Sequence, residues 1–253
     1  MLVIRNEQLK ALGRGPLKKY EALLVQYFFK CFSLECNHLG KDKLMCFIRL
    51  GIFKASEYGY ETQKQVLYFL TIMFILGAYF DEDPLYFWVK EKLIDEHHAD
   101  LDIRIQTTYS DIINYLEDTL GEGDSKFLRA LVRFKKTDIV DLSDFDGSDL
   151  EHSLMRDLWH CYPEKYKWHG DKSIYSLVSQ QLKIADKYNI SSYKGKAILV
   201  SIAFMVGNGF IKDPLQSWAG KIFNNEYPCT DDTTVNNLYN AAISQIKLLP
   251  QNL

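Results

Sequence analysis

The sequence predicts an all-α protein, a helical bundle built from two tandem pseudo-symmetric helical repeats. Apolar residues recur at three-and-four spacing through most of the 253 residues, and no useful length shows the strict alternation of a half-buried strand. The composition, 47% hydrophobic and 25% charged with only 6 Pro, is that of an ordinary folded chain and excludes low-complexity and collagen-like readings. Sliding the chain against itself by 130 residues aligns 31–96 with 161–226 without a gap, giving 14 identities in 66 positions. They cluster as G-x-x-F-x-x-D-P-L-x-x-W, at 77–88 and again at 207–218. A repeat of this kind changes the whole reading of the fold, so it takes precedence over any motif.

The first helix is expected over 16–33, where Leu17, Tyr20, Leu23, Leu24, Tyr27, Phe28 and Cys31 share a face. Each unit then reads as a helix (about 41–58 or 171–188), a buried helix (62–77 or 194–207), a tight corner and an amphipathic helix (84–95 or 214–224). The run from Val66 to Phe80 is apolar nearly all round, which suits the middle of a bundle. Its 15 residues fall short of the roughly 18–20 that span a bilayer. Gly77 and Gly207 are expected to end the buried helices in a left-handed conformation. Asp83 before Pro84, and Asp213 before Pro214, match a helix start: the carboxylate caps free N–H groups, and proline has none to lose. Trp88 and Trp218 fall on the first turns of the helices that follow, and Phe80 and Phe210 plug the corners from below. Further helices are expected over 108–120, 125–135, 148–161 and 233–248. The organisation is then an N-terminal half, 1–120, a connector, 121–147, and a C-terminal half, 148–253.

Reactive chemistry is sparse. Five cysteines, an odd number, read as reduced thiols of a cytoplasmic protein, and no apolar signal region can be drawn over Met1–Glu7. Asp144, Asp146 and Gly147 put Leu142 and Ser153 where a calcium loop needs carboxylates. Cys31 and Cys36, with four residues between them, do not make up the four ligands a zinc site needs, and Cys31, matched by Cys161, reads as a core residue. His97 and His98 point apart on a helix end, and His152 and His160 lack a completing carboxylate. Gly123-Asp124-Ser125 has no preceding strand to present a nucleophile, so Asp124 reads as a helix cap. Asp83 and Asp213 are conceivable as an acid pair, but capping explains both. No phosphate-binding glycine loop, nucleophile elbow or paired-histidine metalloprotease motif is present. No catalytic residue, metal or cofactor is therefore expected, and the chain reads as a non-enzyme.

Binding features are stronger. A net charge of −3 gives no footprint for nucleic acid. Charge is nevertheless segregated, with 10 basic and 4 acidic residues over 1–54 against 4 and 13 over 55–120. The stretch 137–151, which runs past the end of the connector, adds Asp138, Asp141, Asp144, Asp146, Asp149 and Glu151 with no Lys or Arg. Such a field either steers a basic partner or amounts to acids at helix starts and on solvated faces. Tyr162, Lys165, Tyr166, Lys167 and Trp168 crowd one helix end in the manner of protein-contact anchors, with Trp159 on the buried side of its helix. The candidate contact residues are thus Asp138, Asp141, Asp144, Asp146, Asp149, Tyr162, Lys165, Tyr166 and Trp168. Asp83, Pro84, Trp88, Asp213, Pro214 and Trp218 are structural.

The opening Met1-Leu2-Val3-Ile4-Arg5-Asn6-Glu7-Gln8, then Phe47-Ile48-Arg49-Leu50-Gly51-Ile52, Ala55, Tyr58-Gly59, Gly77, Phe80-Asp81, Asp83-Pro84 and Trp88, carry a resemblance over the first 96 residues. They resemble an uncharacterised bacterial family encoded near type VI secretion spike and PAAR-type tip proteins. The second half departs from the pattern at Asn189 and Ile211 and matches it only as a degenerate repeat. The resemblance implies a cytoplasmic immunity protein that binds and neutralises a cognate type VI effector toxin stoichiometrically. The alternative it implies is an effector-loading adaptor or chaperone of the spike. The partner is then the effector toxin or a spike-associated protein, with no nucleic acid and no membrane insertion.

Overall fold

The computed structural model describes residues 14–97, 100–136, 149–223 and 231–247. Its regular structure is helical, and no β-strand occurs among the described residues. The first part contains α1 (Arg14–Cys31), α2 (Ser33–Leu39), α3 (Lys41–Glu57), α4 (Gln63–Leu76), α5 (Phe87–Ile94) and α6 (Leu101–Leu120). After α7 (Ser125–Lys136) come α8 (Leu150–Cys161), α9 (Pro163–Lys187), α10 (Tyr193–Val206), α11 (Ser217–Phe223) and α12 (Asp231–Lys247).

Local chemistry places the two central helices. Thr62 and Gln65 close a capping box at the start of α4: Thr62 Oγ1 accepts the Gln65 N–H at 3.2 Å while Gln65 Oε1 accepts the Thr62 N–H at 3.1 Å. Ser192 Oγ accepts the Gly195 N–H at 3.2 Å and starts α10 in the same way. Phe69, Leu70, Ile72 and Met73 of α4 and Leu199, Val200, Ala203 and Phe204 of α10 are fully enclosed. Around α4 pack α3 and α6; around α10 pack α9 and α12. The buried apolar residues of both parts form one cluster. Each side also reaches into the other, since α3 packs against the Pro214–Gln216 turn and α9 against the Pro84–Tyr86 turn.

Helix starts recur 130 residues apart, at 33 and 163, 63 and 193, 87 and 217, and 101 and 231. The backbone breaks recur as well: Gly40 (φ 83°, ψ 155°) separates α2 from α3, and Gly170 (φ 72°, ψ 165°) interrupts α9. Gly77 and Gly207 end α4 and α10 at φ 103° and 108°. Their ψ of 149° and 145° is extended, which corrects the expected left-handed helical cap.

Other boundaries shift. The expected helix 16–33 stops at Cys31, because Phe32 (φ −130°, ψ 55°) leaves the helical region and α2 restarts beyond it. The expected helices from 84 and 214 begin as 3-10 turns, Pro84–Tyr86 and Pro214–Gln216, before the α-helical residues. The helix at 108–120 starts earlier, at Leu101, where Asp100 caps it. Cys31 is exposed, in contrast to the buried Cys161, so only the second of this pair is a core residue. Asp124 (φ 58°) directly precedes α7.

Candidate functional site

The two corners meet at the centre of the molecule. Asp83 Oδ1 accepts the Leu85 N–H at 2.9 Å, which caps its own turn, and Asp83 Oδ2 accepts the Asn208 N–H at 2.7 Å from the other corner. Asp213 does the same in reverse: Oδ1 takes the Leu215 N–H at 2.8 Å and Oδ2 the Ala78 N–H at 2.8 Å. Close approach of the two backbones requires glycine. A Cβ on Gly207 would stand 3.2 Å from the Leu76 carbonyl oxygen, and one on Gly77 3.4 Å from that of Val206. Burial pushes each carboxyl up to about 6 against the pull of its backbone donors. A cation stands near each: Lys165 offsets Asp83, and Lys54 offsets Asp213. The space between the corners admits no water-sized molecule, so neither carboxylate faces a site where a reacting atom would fit.

Lys165 is buried and donates from Nζ to the Phe204 carbonyl oxygen at 2.6 Å. Its ammonium lies 5.2 Å from the Phe204 ring centre and 5.7 Å from that of Tyr86. Burial pulls its pKa down to about 8, and the charge of Asp83 opposes that. Beyond Tyr86 an aromatic cluster fills the space between α5, α6 and α9. Trp168 lies 5.0 Å from Trp88 and 4.6 Å from Tyr115, ring centre to ring centre. Tyr115 Oη and His169 Nε2 hydrogen-bond at 3.2 Å. Burial, with the charge of Lys165, pulls the His169 pKa down to about 3. Trp88 Nε1 has no acceptor among the described residues. On the other side Lys54 Nζ donates to Asp81 Oδ1 at 2.6 Å, and Tyr58 Oη reaches Asp81 Oδ2 at 3.3 Å.

An apolar groove of about 390 Å³ opens where α2, α4, α7, α10, α11 and α12 converge. Phe74, Phe127, Leu131, Met205 and Trp218 form its walls. Glu35, His38, Gln216 and Gln245 are its polar members, with His38 Nε2 pairing with Gln245 Oε1 at 3.1 Å and Trp218 Nε1 donating to Gln216 Oε1 at 2.8 Å. Both its size and its lining, mostly apolar with a few fixed polar groups, are those of a binding recess, for which roughly 300–1,000 Å³ is usual.

The expected contact residues scatter. Asp138, Asp141, Asp144 and Asp146 lie outside the described residues. Asp149 is the cap of α8: its Oδ1 accepts the His152 N–H at 3.3 Å, and its Oδ2 pairs with His152 Nδ1 at 2.6 Å. Tyr162, Lys165 and Tyr166 are 2%, 5% and 8% exposed, which corrects their expected place on a contact surface. The reason is register: Tyr162 faces α6, its Oη donating to the Thr119 carbonyl oxygen at 2.8 Å, Lys165 faces α10, and Tyr166 lies against Trp159 of α8 and donates to Asp171 at 2.8 Å. Trp168 remains 38% exposed, and so does Trp159, which corrects its expected burial. Helix α8 buries Leu154, Met155, Leu158 and Cys161 and leaves Trp159 on the flank, under Lys167 at 5.4 Å. The expected structural residues Pro84, Trp88, Pro214 and Trp218 all belong to the corners or to the helices that leave them. Sequence reasoning missed the second oxygen of each aspartate, the buried lysines and the groove.

No group of three or more His, Cys, Asp or Glu side chains among the described residues is placed to hold a metal ion. No helix among them is long and apolar enough to cross a membrane. No family model, curated protein or solved structure matches the chain.

Proposed function

We propose that the chain is a doubled helical module that works by binding: a cytoplasmic, non-enzymatic immunity protein that neutralises a type VI effector toxin by one-to-one contact. The doubling is supported by helix starts and backbone breaks that recur 130 residues apart. It is supported further by the exchange of Asp83 and Asp213 between the corners. The observation that carries the binding reading is the apolar groove between the two modules, which leaves Phe127, Met205 and Trp218 half-buried at its walls. The buried ionisable groups, by contrast, are held by backbone atoms and by each other. A large recess with apolar walls and a polar rim is how a protein contact is built, and the acidic residues of the sequence between 137 and 151 would speed encounter with a basic toxin surface. The toxin as partner rests on the resemblance of the first 96 residues.

Co-expression with the toxin encoded beside it tests this. Rescue of growth is expected, with a stable complex on purification. Changed secretion without rescue would replace immunity with effector loading. Replacing Asp138, Asp141, Asp144, Asp146 and Asp149 by Asn is expected to weaken rescue, and full rescue by that variant would remove the connector from the mechanism.

A further inference from the structure

The groove and the aromatic cluster are the same place in the two modules, an inference that rests on the doubling proposed above. Subtracting 130 from the groove residues of the second module, and adding it to those of the first, pairs Trp218 with Trp88, Gln216 with Tyr86 and Gln245 with Tyr115. It likewise pairs His38 with Trp168, Leu39 with His169 and Glu35 with Lys165. The polar contacts differ: Tyr115 bonds His169 at 3.2 Å in the cluster, whereas Gln245, at the place of Tyr115, bonds His38, at the place of Trp168, at 3.1 Å in the groove. In one module the space is closed by an indole, two phenols and a lysine stem. In the other, shorter side chains leave about 390 Å³ open, and α7 adds Phe127 and Leu131 as a further wall.

We propose that the groove receives from the partner protein what the chain supplies to itself in the other module: an aromatic side chain flanked by a basic one. The indole of Trp168, set 5.0 Å from Trp88, shows how a planar ring sits against the tryptophan of such a site. The charge is complementary, because the position of the cationic Lys165 is taken in the groove by Glu35, which is exposed at the rim. An entering Lys or Arg would therefore meet a carboxylate, with the ring beyond it against Trp218 and Met205. A partner side chain of that class fits hot-spot chemistry, an aromatic anchor seated in a pocket inside a polar rim.

The test uses the full chain with 13C-methyl methionine and acetyl-Trp-Lys-amide as probe. Met205 lies in the groove and Met73 in the closed core, so saturable movement of the Met205 methyl resonance with Met73 unmoved is the expected result. His38→Trp with Gln245→Tyr restores the aromatic pair of the other module, and is expected to abolish that movement. Glu35→Lys, at an exposed position, is expected to weaken the probe about three- to fivefold while leaving acetyl-Trp-Glu-amide no weaker. An unmoved Met205 in the wild-type chain, or equal affinity of both probes for wild type and Glu35→Lys, overturns the proposal. Growth rescue reads the underlying function separately. Undiminished rescue by a folded H38W/Q245Y variant overturns the groove and leaves immunity standing. Probe binding by a wild-type chain that gives no rescue supports the groove and refutes immunity.

Discussion

Asp83 and Asp213, 130 residues apart, each cap their own corner with one carboxylate oxygen and the opposite corner with the other, at 2.7 Å to Asn208 N and 2.8 Å to Ala78 N. Neither corner satisfies all of its own backbone: the Ala78 and Asn208 N–H groups are taken up by the aspartate of the opposite corner. Each corner thus completes the other, and a single residue links local helix initiation to the packing between distant parts of the chain.

Replacing either aspartate by alanine removes a cap and leaves a buried N–H of the opposite corner unpaired. Each change is expected to destabilise the protein by about 3 kcal/mol in urea unfolding. The double variant should lose less than the sum, because the two carboxylates serve one junction. Strict additivity would mean that the corners act independently.

Gly207→Ala combines a φ of 108° with a Cβ 3.2 Å from the Leu76 carbonyl oxygen. Gly40→Ala has a similar backbone, φ 83°, but nothing within 4 Å of the added carbon. The first is expected to lower the melting temperature more than the second, with the strain alone costing about 1–2 kcal/mol in both. Equal losses would show that the approach of the corners is loose.

His169 sets a pH dependence. The unfolded imidazole takes up a proton near 6.5, whereas the folded one resists until about 3. Between those values the unfolded chain binds more protons, so the stability His169 contributes is complete above pH 6.5 and is lost as pH falls toward 3. His169→Leu, the residue type of Leu39 at the matching place, should be the less stable protein at pH 7, lacking the Tyr115 contact. Relative to wild type it is expected to gain about 1–2 kcal/mol on going to pH 5, read from urea unfolding at the two pH values. A difference that stays constant with pH would place a charged imidazole in the cluster.

Under the proposed function, association with a cognate toxin should slow as salt is raised, by about tenfold or more in the association rate between low and physiological ionic strength if the acidic connector steers encounter. Stopped-flow mixing at several salt concentrations measures it. A flat profile would leave the groove as the source of affinity and the connector as a spacer.

The corners were legible because their signals are local. An aspartate before a proline starts a helical turn wherever it stands, and a glycine after an apolar run ends one. The junction between α1 and α2 was not, since Phe32 carries neither Gly nor Pro to announce the break, whereas Pro163 marks the matching start of α9. The second oxygen of Asp83 was invisible, because its partner Asn208 is reached only through tertiary packing. Lys165 read as a surface cation from its charge, although Tyr162, Lys165, Tyr166 and His169 stand at the spacing of one helix face. That spacing was the usable signal for its burial. The groove required pairing 101–120 with 231–247, beyond the stretch in which identical residues cluster, and then attending to where residues 130 apart differ. His38 opposite Trp168 and Gln245 opposite Tyr115 are such differences, and the folded molecule gives them their meaning.

Titration of the toxin's own activity with the purified chain tests the central claim most directly. Stoichiometric neutralisation predicts that activity falls in a straight line to zero at one equivalent, with a calorimetric ratio of one to one. Complete inactivation at a small fraction of an equivalent would instead reveal turnover, and undiminished activity in the presence of excess chain would contradict binding as the function.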